Sequence, residues 1–485
     1  MHSMQQLSDD SVFTVDLAVI GSGPGGYEAA VRAAKAGMNV CLIEKGALGG
    51  VCVNWGCIPT KALLRSAEVF ELMKKAGFFG LKVQAGDIDI AEAVKRSRNV
   101  ALKMSKGVGF TLRKAGVEVK QGEAVFSGPN DIDIFRDGVR VEGVRARYII
   151  IASGAHGRTL PGLEPDGNRI ITSREALAMK SLPKSMIVVG GGAIGVEMAW
   201  FYAMAGTAVT LVEMMPRLLP LEDEEIAEAL KRSLQKAGIN VATGAKLENV
   251  TAEGDKVTAH LRIEANDFPQ PPALSPQPSA LSPLLTADYL LVAVGVTGNC
   301  EHLGLEQAGV KSSRGFIVTD GACRTSVAHI FAIGDVRGGM LLAHKASAEA
   351  VIAVQTIAGR HSDPIDETMI PRCVYAEPSV ASIGLSEKEA EVRGYKVFVG
   401  RSMFAASGKA NAYGNLEGLV KLVFNTADGR LLGAHVLGHG AVELIGELTL
   451  ARRLEVTAEL LAGTIHAHPT LSESIKEAAE NALQE

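Results

Sequence analysis

Residues 15–46 read VDLAVIGSGPGGYEAAVRAAKAGMNVCLIEKG, and this stretch decides the fold. It predicts an apolar strand, a G-x-G-x-x-G turn at Gly21, Gly23 and Gly26, a helix rich in alanine, and a second strand that ends at the acid Glu44. The first glycine allows a tight turn, the second lets the backbone approach a pyrophosphate, and the third lets the helix pack on the strand. The pyrophosphate would lie at the helix N-terminus, where free N–H groups and the helix dipole favour an anion, and the acid would accept a hydrogen bond from a ribose hydroxyl.

The same pattern occurs a second time in the chain. Residues 185–214 read SMIVVGGGAIGVEMAWFYAMAGTAVTLVEM, so that Gly190, Gly192, Gly195 and Glu213 match the glycines and the acid of the first copy. One such turn is weak evidence for a nucleotide site. Two turns that each follow a strand, open a helix and precede an acid predict two Rossmann-like dinucleotide-binding domains. The alternative is two strand–helix–strand units that bind no ligand.

Length and composition restrict the class of protein. A chain of 485 residues holds about three domains of ordinary size. Hydrophobic residues at 47% and charged residues at 21% exclude a disordered chain, and a net charge of −5 gives no reason to expect nucleic acid or an anionic membrane as a partner. The acidic N-terminus has no signal or transit features, and glycines interrupt the apolar residues 186–212, so we expect a cytoplasmic protein without a membrane span.

The remaining segments extend the pattern to the C-terminus. Apolar spacing predicts further elements, which are helices over 62–75 and 87–115 and strands over 147–155 and 288–295. Residues 268–283 contain six of the 18 prolines and are expected to form an exposed loop at the tip of a long hairpin. From about residue 370, alternating strands are followed by helices, which indicates an α+β domain without a nucleotide fingerprint.

Two cysteines, Cys52 and Cys57, lie close together in GGVCVNWGCIPTKALL. A helix predicted to start near Ile58 or Pro59 would stabilise a cysteine thiolate through its free N–H groups and its dipole. Lys61, one turn further on, adds a positive charge. This pattern favours a redox-active disulfide. A zinc site would need two further ligands, which the spacing of the other cysteines does not supply, and a pair of buried structural cysteines is the remaining alternative.

A histidine near the C-terminus is the second candidate for chemistry. His468 has a side chain suited to take a thiol proton, and Glu473 could orient it. The sequence Thr470-x-x-Glu473 also fits a capping box, in which Glu473 would only cap a helix. The histidines are not expected to form a metal site, and His435 and His439 are expected at the surface or at an interface.

These motifs together resemble those of the pyridine nucleotide–disulfide oxidoreductases over essentially the whole chain, from about Val12 to the C-terminus. The most specific pieces are GSGPGGYEAAVRAAKAG, GGVCVNWGCIPTKALL, AIGDV, MLLAHKA and HAHPTLSESIKEA. The resemblance implies an α/β fold with two Rossmann-like nucleotide-binding domains, one for FAD and one for NAD, and a C-terminal α+β dimerisation domain. The implied boundaries are 1–157 for the FAD-binding domain, 158–286 for the NAD-binding domain, 287–357 for a central segment that completes the FAD domain, and 358–485 for the dimerisation domain.

The resemblance also implies roles for single residues. Cys57 would lie next to the flavin, and Cys52 would exchange with the substrate. His468 and Glu473 would carry out the acid–base chemistry. The residues implied to bind the cofactors are Gly21, Gly23, Gly26, Glu44, Lys45, Gly50, Lys61, Gly122, Ser153, Gly154, Asp335, Leu341, Ala343, His344, Gly190, Gly192, Gly195, Glu197, Glu213 and Gly295, with Lys61 beside flavin N5 and paired to Glu197.

The implied activity is the oxidation of a protein-bound dihydrolipoyl group through a Cys52–Cys57 disulfide and FAD, with reduction of NAD. Glu213 favours NAD because an acid repels a 2′-phosphate, and Arg217 alone does not make a 2′-phosphate site. The implied partner is a lipoyl-bearing domain or protein of a 2-oxo-acid dehydrogenase or glycine-cleavage complex, and the implied working unit is a homodimer in which His468 enters the neighbouring active site. The alternatives are an NAD(P)H-dependent reductase of a low-molecular-weight disulfide, a component whose main role is docking in a multienzyme complex, and a transhydrogenase without thiol chemistry.

Overall fold

A computed structural model of the chain describes residues 12–84, 86–263 and 283–484. The chain divides into two compact units, each built from segments that are distant in the sequence. The described residues of the first unit come from Met1–Pro59, Lys95–Arg158 and Val296–Ile365, and those of the second from Thr60–Val94, Thr159–Gly295 and Asp366–Glu485. The second unit therefore contains both the second fingerprint and the C-terminal residues.

The strands and α-helices follow in chain order. The first part of the described chain contains β1 Val12–Ile20, α1 Pro24–Lys35, β2 Val40–Glu44, α2 Gly50–Trp55, α3 Cys57–Lys74, α4 Ile90–Lys114, β3 Glu118–Gln121, β4 Glu123–Phe126, β5 Asp131–Arg136, β6 Val139–Ile151, β7 Ala155–Gly157 and β8 Ile170–Ile171. The middle part contains α5 Ser173–Ala176, β9 Ser185–Val189, α6 Ala193–Ala205, β10 Ala208–Glu213, α7 Glu224–Lys236, β11 Asn240–Thr243, β12 Ala245–Glu253, β13 Lys256–Ile263, β14 Leu284–Ala287, β15 Tyr289–Val292, β16 Val296–Gly298, α8 Leu305–Ala308, β17 Ser312–Ser313 and β18 Phe316–Ile317. The last part contains β19 Ile330–Ala332, α9 Ala343–Ile357, β20 Arg372–Val374, β21 Ser379–Gly384, α10 Glu387–Val392, β22 Val397–Met403, α11 Gly408–Tyr413, β23 Gly418–Asn425, β24 Leu431–Gly438, α12 Ala441–Arg453, α13 Ala458–Gly463 and α14 Glu473–Ala482.

The first unit is built on a sheet with the strand order β3-β2-β1-β6-β5-β4, in which β19 also pairs with the end of β6. Strand β1 pairs parallel with both β2 and β6, as a dinucleotide-binding strand–helix–strand unit requires. Helix α1 packs against α9 in one apolar cluster, to which they contribute Ala29, Ala30, Ala33, Ala350 and Ala353. The first fingerprint therefore has the predicted fold.

The second unit contains a parallel sheet with the strand order β11-β10-β9-β15-β8. Helix α6 lies between β9 and β10 in the chain and is buried at ten of its 13 positions, which explains why residues 186–212 carry no Lys or Arg. Among the described residues, no helix is long and apolar enough to cross a membrane. Strand β15 pairs with β9, and the residues up to Gly295 belong to this unit, which therefore runs past residue 286, where the resemblance implies the end of the NAD-binding domain.

Other predicted elements lie within a few residues of the observed ones. The helices predicted over 62–75 and 87–115 correspond to α3 and α4, and α3 begins at Cys57, next to the start predicted near Ile58 or Pro59. Strands β13 and β14 pair antiparallel, as the two sides of a hairpin do. The proline-rich loop predicted between them lies outside the described residues, apart from Pro283.

The C-terminal residues form an antiparallel sheet with the strand order β20-β21-β24-β23-β22. Every residue of β23 and β24 is buried, and helices α12 and α14 cover the sheet through Ile445, Leu448 and Ile475. The α+β character predicted from about residue 370 is confirmed.

A buried ion cluster joins this sheet to helix α7 within the second unit. Lys421 of β23 is 4% exposed, and its Nζ lies 3.0 Å from Asp223, 3.2 Å from Glu225 and 2.9 Å from Glu387. Asp223 also caps α7, because its side chain accepts a hydrogen bond from the Glu225 N–H. Since an unpaired buried charge is strongly destabilising, this cluster holds the start of α7 on the C-terminal sheet.

One expectation about the histidines is wrong. His435 lies in β24, is completely buried, and its Nε2 lies 3.1 Å from the carbonyl oxygen of Leu385. Burial lowers the pKa of His435, so it is a neutral core residue and not a surface one. His439 is partly exposed, and its Nδ1 lies 3.5 Å from the Glu377 carboxylate, so of these two histidines it is the one that lies near the surface.

In each fingerprint the first and third glycines meet at a contact where no side chain fits. A Cβ atom on Gly26 would lie 2.0 Å from the carbonyl oxygen of Gly21, and one on Gly195 would lie 1.8 Å from that of Gly190. In contrast, a Cβ on Gly192 would meet nothing within 4 Å. The first and third glycines are therefore required by packing, whereas the second is not.

We expect Gly195→Ala to lower the stability by about 2–3 kcal/mol, because its methyl group would force two backbone segments apart. The matched control Gly192→Ala should change the stability by no more than about 1 kcal/mol, since its Cβ enters open space. Thermal unfolding followed by circular dichroism measures both, and the first variant should melt roughly 4–10 °C lower. Equal melting temperatures for the two variants would contradict the packing argument.

Candidate active site

The two cysteines belong to the first unit and lie on either side of a break between helices α2 and α3. Cys52 lies within α2, Gly56 ends that helix, and Cys57 is the first residue of α3. Their sulfur atoms lie 2.6 Å apart, so a small movement would bring them to bonding distance. Both Gly49 and Gly50 have positive φ angles, +101° and +61°, which lets the chain turn sharply into α2.

The cysteine segment lies against the first fingerprint turn. A Cβ on Gly50 would lie 2.8 Å from the Cα of Gly23, so the two backbones are in direct contact. The Gly49 N–H donates to the Ser22 hydroxyl at 3.1 Å, and that hydroxyl donates to Glu44 at 2.6 Å. The sulfur pair is thus fixed beside the turn that would hold a dinucleotide.

Polar contacts hold the loop between the cysteines in place. The Asn54 amide donates to the carbonyl oxygens of Leu48 and Gly50, each at 3.0 Å. The Arg98 guanidinium stacks 3.8 Å from the centre of the Trp55 ring and donates to the Asn54 carbonyl. These contacts restrain the helix break that brings the two sulfur atoms together.

The other four cysteines have environments that suppress their reactivity. Burial raises the pKa of Cys41 and of Cys323 to about 12, and that of Cys373 to about 11. Burial also raises the pKa of Cys300. Within the described ranges, no group of three or more His, Cys, Asp or Glu side chains could hold a metal ion.

Both fingerprint turns have the features that a dinucleotide needs. Helices α1 and α6 begin after Gly23 and Gly192, and neither glycine can supply a side-chain cap, so the first N–H groups can bind an anion. A Cβ on either glycine would meet nothing within 4 Å, which leaves space for a pyrophosphate against the backbone. The residues present therefore fit FAD and NAD, the cofactors used by the enzymes to which this chain is compared below.

The two acids that end the second strands return to the turns. Glu44 is buried and accepts hydrogen bonds from the Ser22 N–H at 2.9 Å and from the Gly46 N–H at 2.7 Å. Glu213 accepts hydrogen bonds from the Gly191 N–H at 2.5 Å and from the Met215 N–H at 2.6 Å. A carboxylate has about four acceptor sites, so each keeps capacity for a ribose hydroxyl.

Lys61 and Glu197 form an ion pair within the second unit. The Lys61 Nζ lies 2.9 and 3.0 Å from the two carboxylate oxygens of Glu197, which is 4% exposed. The sequence did not point to Tyr375, whose N–H donates to Glu197 at 3.0 Å and whose ring centre lies 4.1 Å from the Lys61 Nζ. Tyr375 follows a short strand and belongs to no motif, so no sequence signal distinguished it.

A second buried carboxylate cluster, in the first unit, contacts the segment AIGDV at residues 332–336. Glu349 accepts hydrogen bonds from the Gly334 N–H at 2.6 Å and from Arg337 at 2.7 Å, and its carboxylate lies 2.8 Å from the Lys345 Nζ. Asp335 lies in the same short turn, and burial raises its pKa. These charges fix the turn in which Asp335 lies.

The remaining predicted cofactor residues lie at loop positions around these turns. Leu341, Ala343 and His344 lie at the start of α9, whose partner α1 follows the first fingerprint. The Ser153 hydroxyl donates to the Asn299 carbonyl at 2.9 Å, and Gly154 follows with a φ of +73°. Elsewhere, the Gly122 N–H donates to the Glu44 carbonyl at 2.9 Å, the largely exposed Lys45 lies 3.4 Å from Glu123, and Gly295 has a φ of +104° just beyond β15.

His468 and Glu473 contact each other in the second unit. The His468 Nδ1 lies 2.9 Å from Glu473 Oε1, and the other carboxylate oxygen accepts the Thr470 N–H at 2.8 Å. These two contacts, with Thr470 the larger, hold the pKa of Glu473 below its usual range. Half of the capping box forms, because Glu473 accepts the Thr470 N–H, but the Thr470 hydroxyl donates to the Ala467 carbonyl oxygen at 2.7 Å and does not cap α14, which begins at Glu473. The imidazole is 79% exposed, which leaves its Nε2 accessible.

Comparisons with known proteins agree with this geometry. Residues 15–350 match the family described as Pyridine nucleotide-disulphide oxidoreductase, and residues 370–479 match its dimerisation domain. The dihydrolipoyl dehydrogenase of Chlorobaculum tepidum is 61% identical over 481 residues, with 99% of both chains covered. The dihydrolipoyl dehydrogenase of Rhizobium etli is 44% identical over 483 residues, with 96% of this chain and 98% of that protein covered.

Solved structures show the same similarity. The crystal structure of LpdA from Mycobacterium tuberculosis superposes with a TM-score of 0.86 at 28% identity, covering 96% of this chain and 99% of the other. The HOCl-induced flavoprotein disulfide reductase RclA from Escherichia coli superposes with a TM-score of 0.83 at 26% identity and the same coverage.

We expect a thiol reagent to distinguish Cys52 and Cys57 from the three cysteines whose pKa burial raises most. After reduction of the native protein, iodoacetamide at pH 8 should modify Cys52 and Cys57 within minutes and spare Cys41, Cys323 and Cys373, whose thiols stay protonated. Peptide mass spectrometry identifies the modified cysteines. The control is the protein unfolded in guanidinium, where all six cysteines should react. Fast modification of Cys373 would contradict the account of the buried thiols.

Proposed function

The chain belongs to the pyridine nucleotide-disulphide oxidoreductase family, and we propose that it oxidises a dihydrolipoyl group to a lipoyl group with reduction of NAD. Relatives named dihydrolipoyl dehydrogenase match it over almost its full length. The observation that carries the proposal is the contact of the Cys52–Cys57 segment, through Gly50, with Gly23 of the first fingerprint. This contact puts a dithiol pair beside a dinucleotide turn.

The cysteines carry the exchange with the substrate. A substrate thiolate attacks the Cys52 sulfur of the disulfide, a mixed disulfide forms, and Cys57 leaves as a thiolate. The free N–H groups at the start of α3 stabilise this thiolate, because Cys57 is the first residue of that helix. The second substrate thiol then attacks its neighbour in the mixed disulfide, which closes the lipoyl ring and releases Cys52. FAD, which the first fingerprint would hold, would supply the two-electron chemistry that links the reduced cysteine pair to NAD.

His468 is the proposed proton acceptor for the substrate thiol. Glu473 holds Nδ1 of the imidazole, so the exposed Nε2 is the atom that takes the proton. The carboxylate also stabilises the imidazolium that results, and because its pKa lies below the usual range it stays ionised at neutral pH.

The Lys61–Glu197 pair is the proposed positive contact to the flavin. Glu197 would be a costly buried charge without Lys61, and the pair holds the ammonium group in one place. Tyr375 fixes both partners, one through its N–H and the other through the face of its ring.

We also propose a lipoyl-bearing domain or protein of a 2-oxo-acid dehydrogenase or glycine-cleavage complex as the partner. The dimerisation domain over residues 370–479 supports a homodimer as the working unit. The cysteines belong to the first unit and His468 to the second, so in a homodimer one chain can supply the sulfur pair and its partner the imidazole.

A second candidate is the reduction of a low-molecular-weight disulfide by NAD(P)H, and the likeness to RclA, which is described as a flavoprotein disulfide reductase, favours a disulfide substrate. The same cysteines would act in the reverse direction. A steady-state comparison decides between the two functions: dihydrolipoamide with NAD should be turned over far faster than glutathione disulfide with NADPH. The opposite result would reject the proposed function.

We expect both Cys52→Ser and Cys57→Ser to reduce dihydrolipoamide turnover by at least about 10³-fold, because each removes one sulfur of the exchange. Reduction of an artificial acceptor by NADH should stay within a few-fold of wild type, since it needs only the two nucleotide sites. The long-wavelength absorbance of a thiolate beside the flavin should persist in Cys52→Ser and vanish in Cys57→Ser. Cys300→Ser is the control with normal turnover, and full lipoamide activity in either active-site variant would reject the disulfide mechanism.

Complementation tests whether the site is shared between two chains. Cys52→Ser chains and His468→Ala chains should each be inactive alone. After subunit exchange, about half of the dimers are mixed and each has one intact site, so activity should rise to about one quarter of wild type. Mass spectrometry of differently tagged chains verifies the exchange. If exchange is complete and activity stays at the level of the parents, the histidine acts within its own chain.

A further inference from the structure

The loop after Glu213 is fastened at both ends to one glycine of the second fingerprint. The Glu213 carboxylate accepts the Gly191 N–H at 2.5 Å, and the Leu219 N–H donates to the Gly191 carbonyl at 2.9 Å. A Cβ on Gly191 would lie 2.6 Å from the Leu218 side chain, so the loop folds tightly over the turn. Arg217 lies within this loop, four residues after the acid that would hold the ribose.

An arginine in this loop is the group that would recognise a 2′-phosphate. NADP differs from NAD by a phosphate on the adenine ribose, and sites that accept it place an arginine near the ribose-binding acid. A guanidinium is well suited to this task because it binds a phosphate through two parallel hydrogen bonds. The presence of Arg217 is therefore unexpected in a site that selects NAD.

The structure shows that Arg217 is already engaged. Its Nη1 lies 2.5 Å from Glu224 Oε1, and its Nη2 donates to the Pro220 carbonyl at 3.3 Å. Glu224 is the first residue of α7 and also accepts a hydrogen bond from Lys388 at 3.0 Å. Lys388, with the larger effect, and Arg217 hold the pKa of Glu224 below its usual range, so the glutamate is charged at neutral pH.

We propose that Glu224 is a specificity-determining residue, which keeps the Arg217 guanidinium away from the 2′-phosphate of NADP. Preference for NAD then has two sources, the repulsion by Glu213 and the engagement of Arg217 by Glu224. Binding of NADP would have to break the Arg217–Glu224 pair and leave Glu224 with Lys388 alone. This inference rests on the proposed function, since it assumes that the second fingerprint binds the nicotinamide dinucleotide.

The test compares NAD with NADP as the acceptor for dihydrolipoamide in the holoenzyme. The ratio of kcat/KM for NADP to that for NAD should rise about two- to fivefold in Glu224→Gln, the range expected when a partly exposed ion pair no longer competes. Adenosine 2′,5′-bisphosphate should inhibit the variant more strongly by a similar factor, while AMP should inhibit it as before. This inhibitor reports on the 2′-phosphate contact without any redox step.

Glu228 provides a matched control one turn further along α7. Its side chain is 52% exposed, the same as that of Glu224, but it lies 3.8 Å from Arg232 and not from Arg217. Glu228→Gln should leave the NADP to NAD ratio unchanged. Melting temperature and flavin content, measured for both variants, show whether either substitution has disturbed the fold.

A double variant shows whether the effect passes through the arginine. In Arg217→Ala/Glu224→Gln the ratio should fall back to that of Arg217→Ala alone, because the gain requires a free guanidinium. If the NADP to NAD ratio also rises in the double variant, or rises equally in Glu228→Gln, the inference is overturned and the rise is a general effect of charge. A wild-type enzyme that prefers NADP would instead reject NAD as the proposed cofactor, whereas preference for NAD with no change in Glu224→Gln rejects this inference alone.

Discussion

The contact between the third and first glycines of each fingerprint is the constraint on which the rest of the structure depends. At both copies the helix approaches the preceding turn so closely that a single methyl group would meet a carbonyl oxygen at 2.0 Å or less. This approach aims the free N–H groups at the start of the helix toward open space beside the second glycine. It also brings the acid at the end of the next strand back to the turn, where Glu44 and Glu213 accept backbone hydrogen bonds.

The two copies differ in what the rest of the chain adds to them. The first turn receives the cysteine segment, because Gly50 lies directly against Gly23. The second is followed by the buried Glu197, which binds Lys61. The same strand–turn–helix unit therefore lies beside the cysteine pair in its first copy, and in its second copy it carries the glutamate that binds Lys61.

Three buried carboxylates in this protein are neutralised by nearby cations. Glu197 is paired with Lys61, Glu349 with Arg337 and Lys345, and Asp223 with Lys421. A buried charge without a partner is strongly destabilising, so each pair holds its surroundings in one arrangement. Two of these pairs connect elements that are more than a hundred residues apart in the chain, which makes them part of the tertiary fold and not of any motif.

The sequence by itself determined the two strand–turn–helix units, the cysteine pair and the histidine with its glutamate. Each of these features lies within about thirty residues of sequence. The spacing of apolar residues, the glycines in the turns and the residue types at the helix ends predict them. Tertiary structure alone decided that Tyr375 holds the Lys61–Glu197 pair, that His435 is buried and that β15 pairs with β9 in the second sheet. It also decided that Arg217 is engaged by Glu224. Most of these contacts join residues that are far apart in the chain. A local sequence pattern does not specify which distant elements pack against each other.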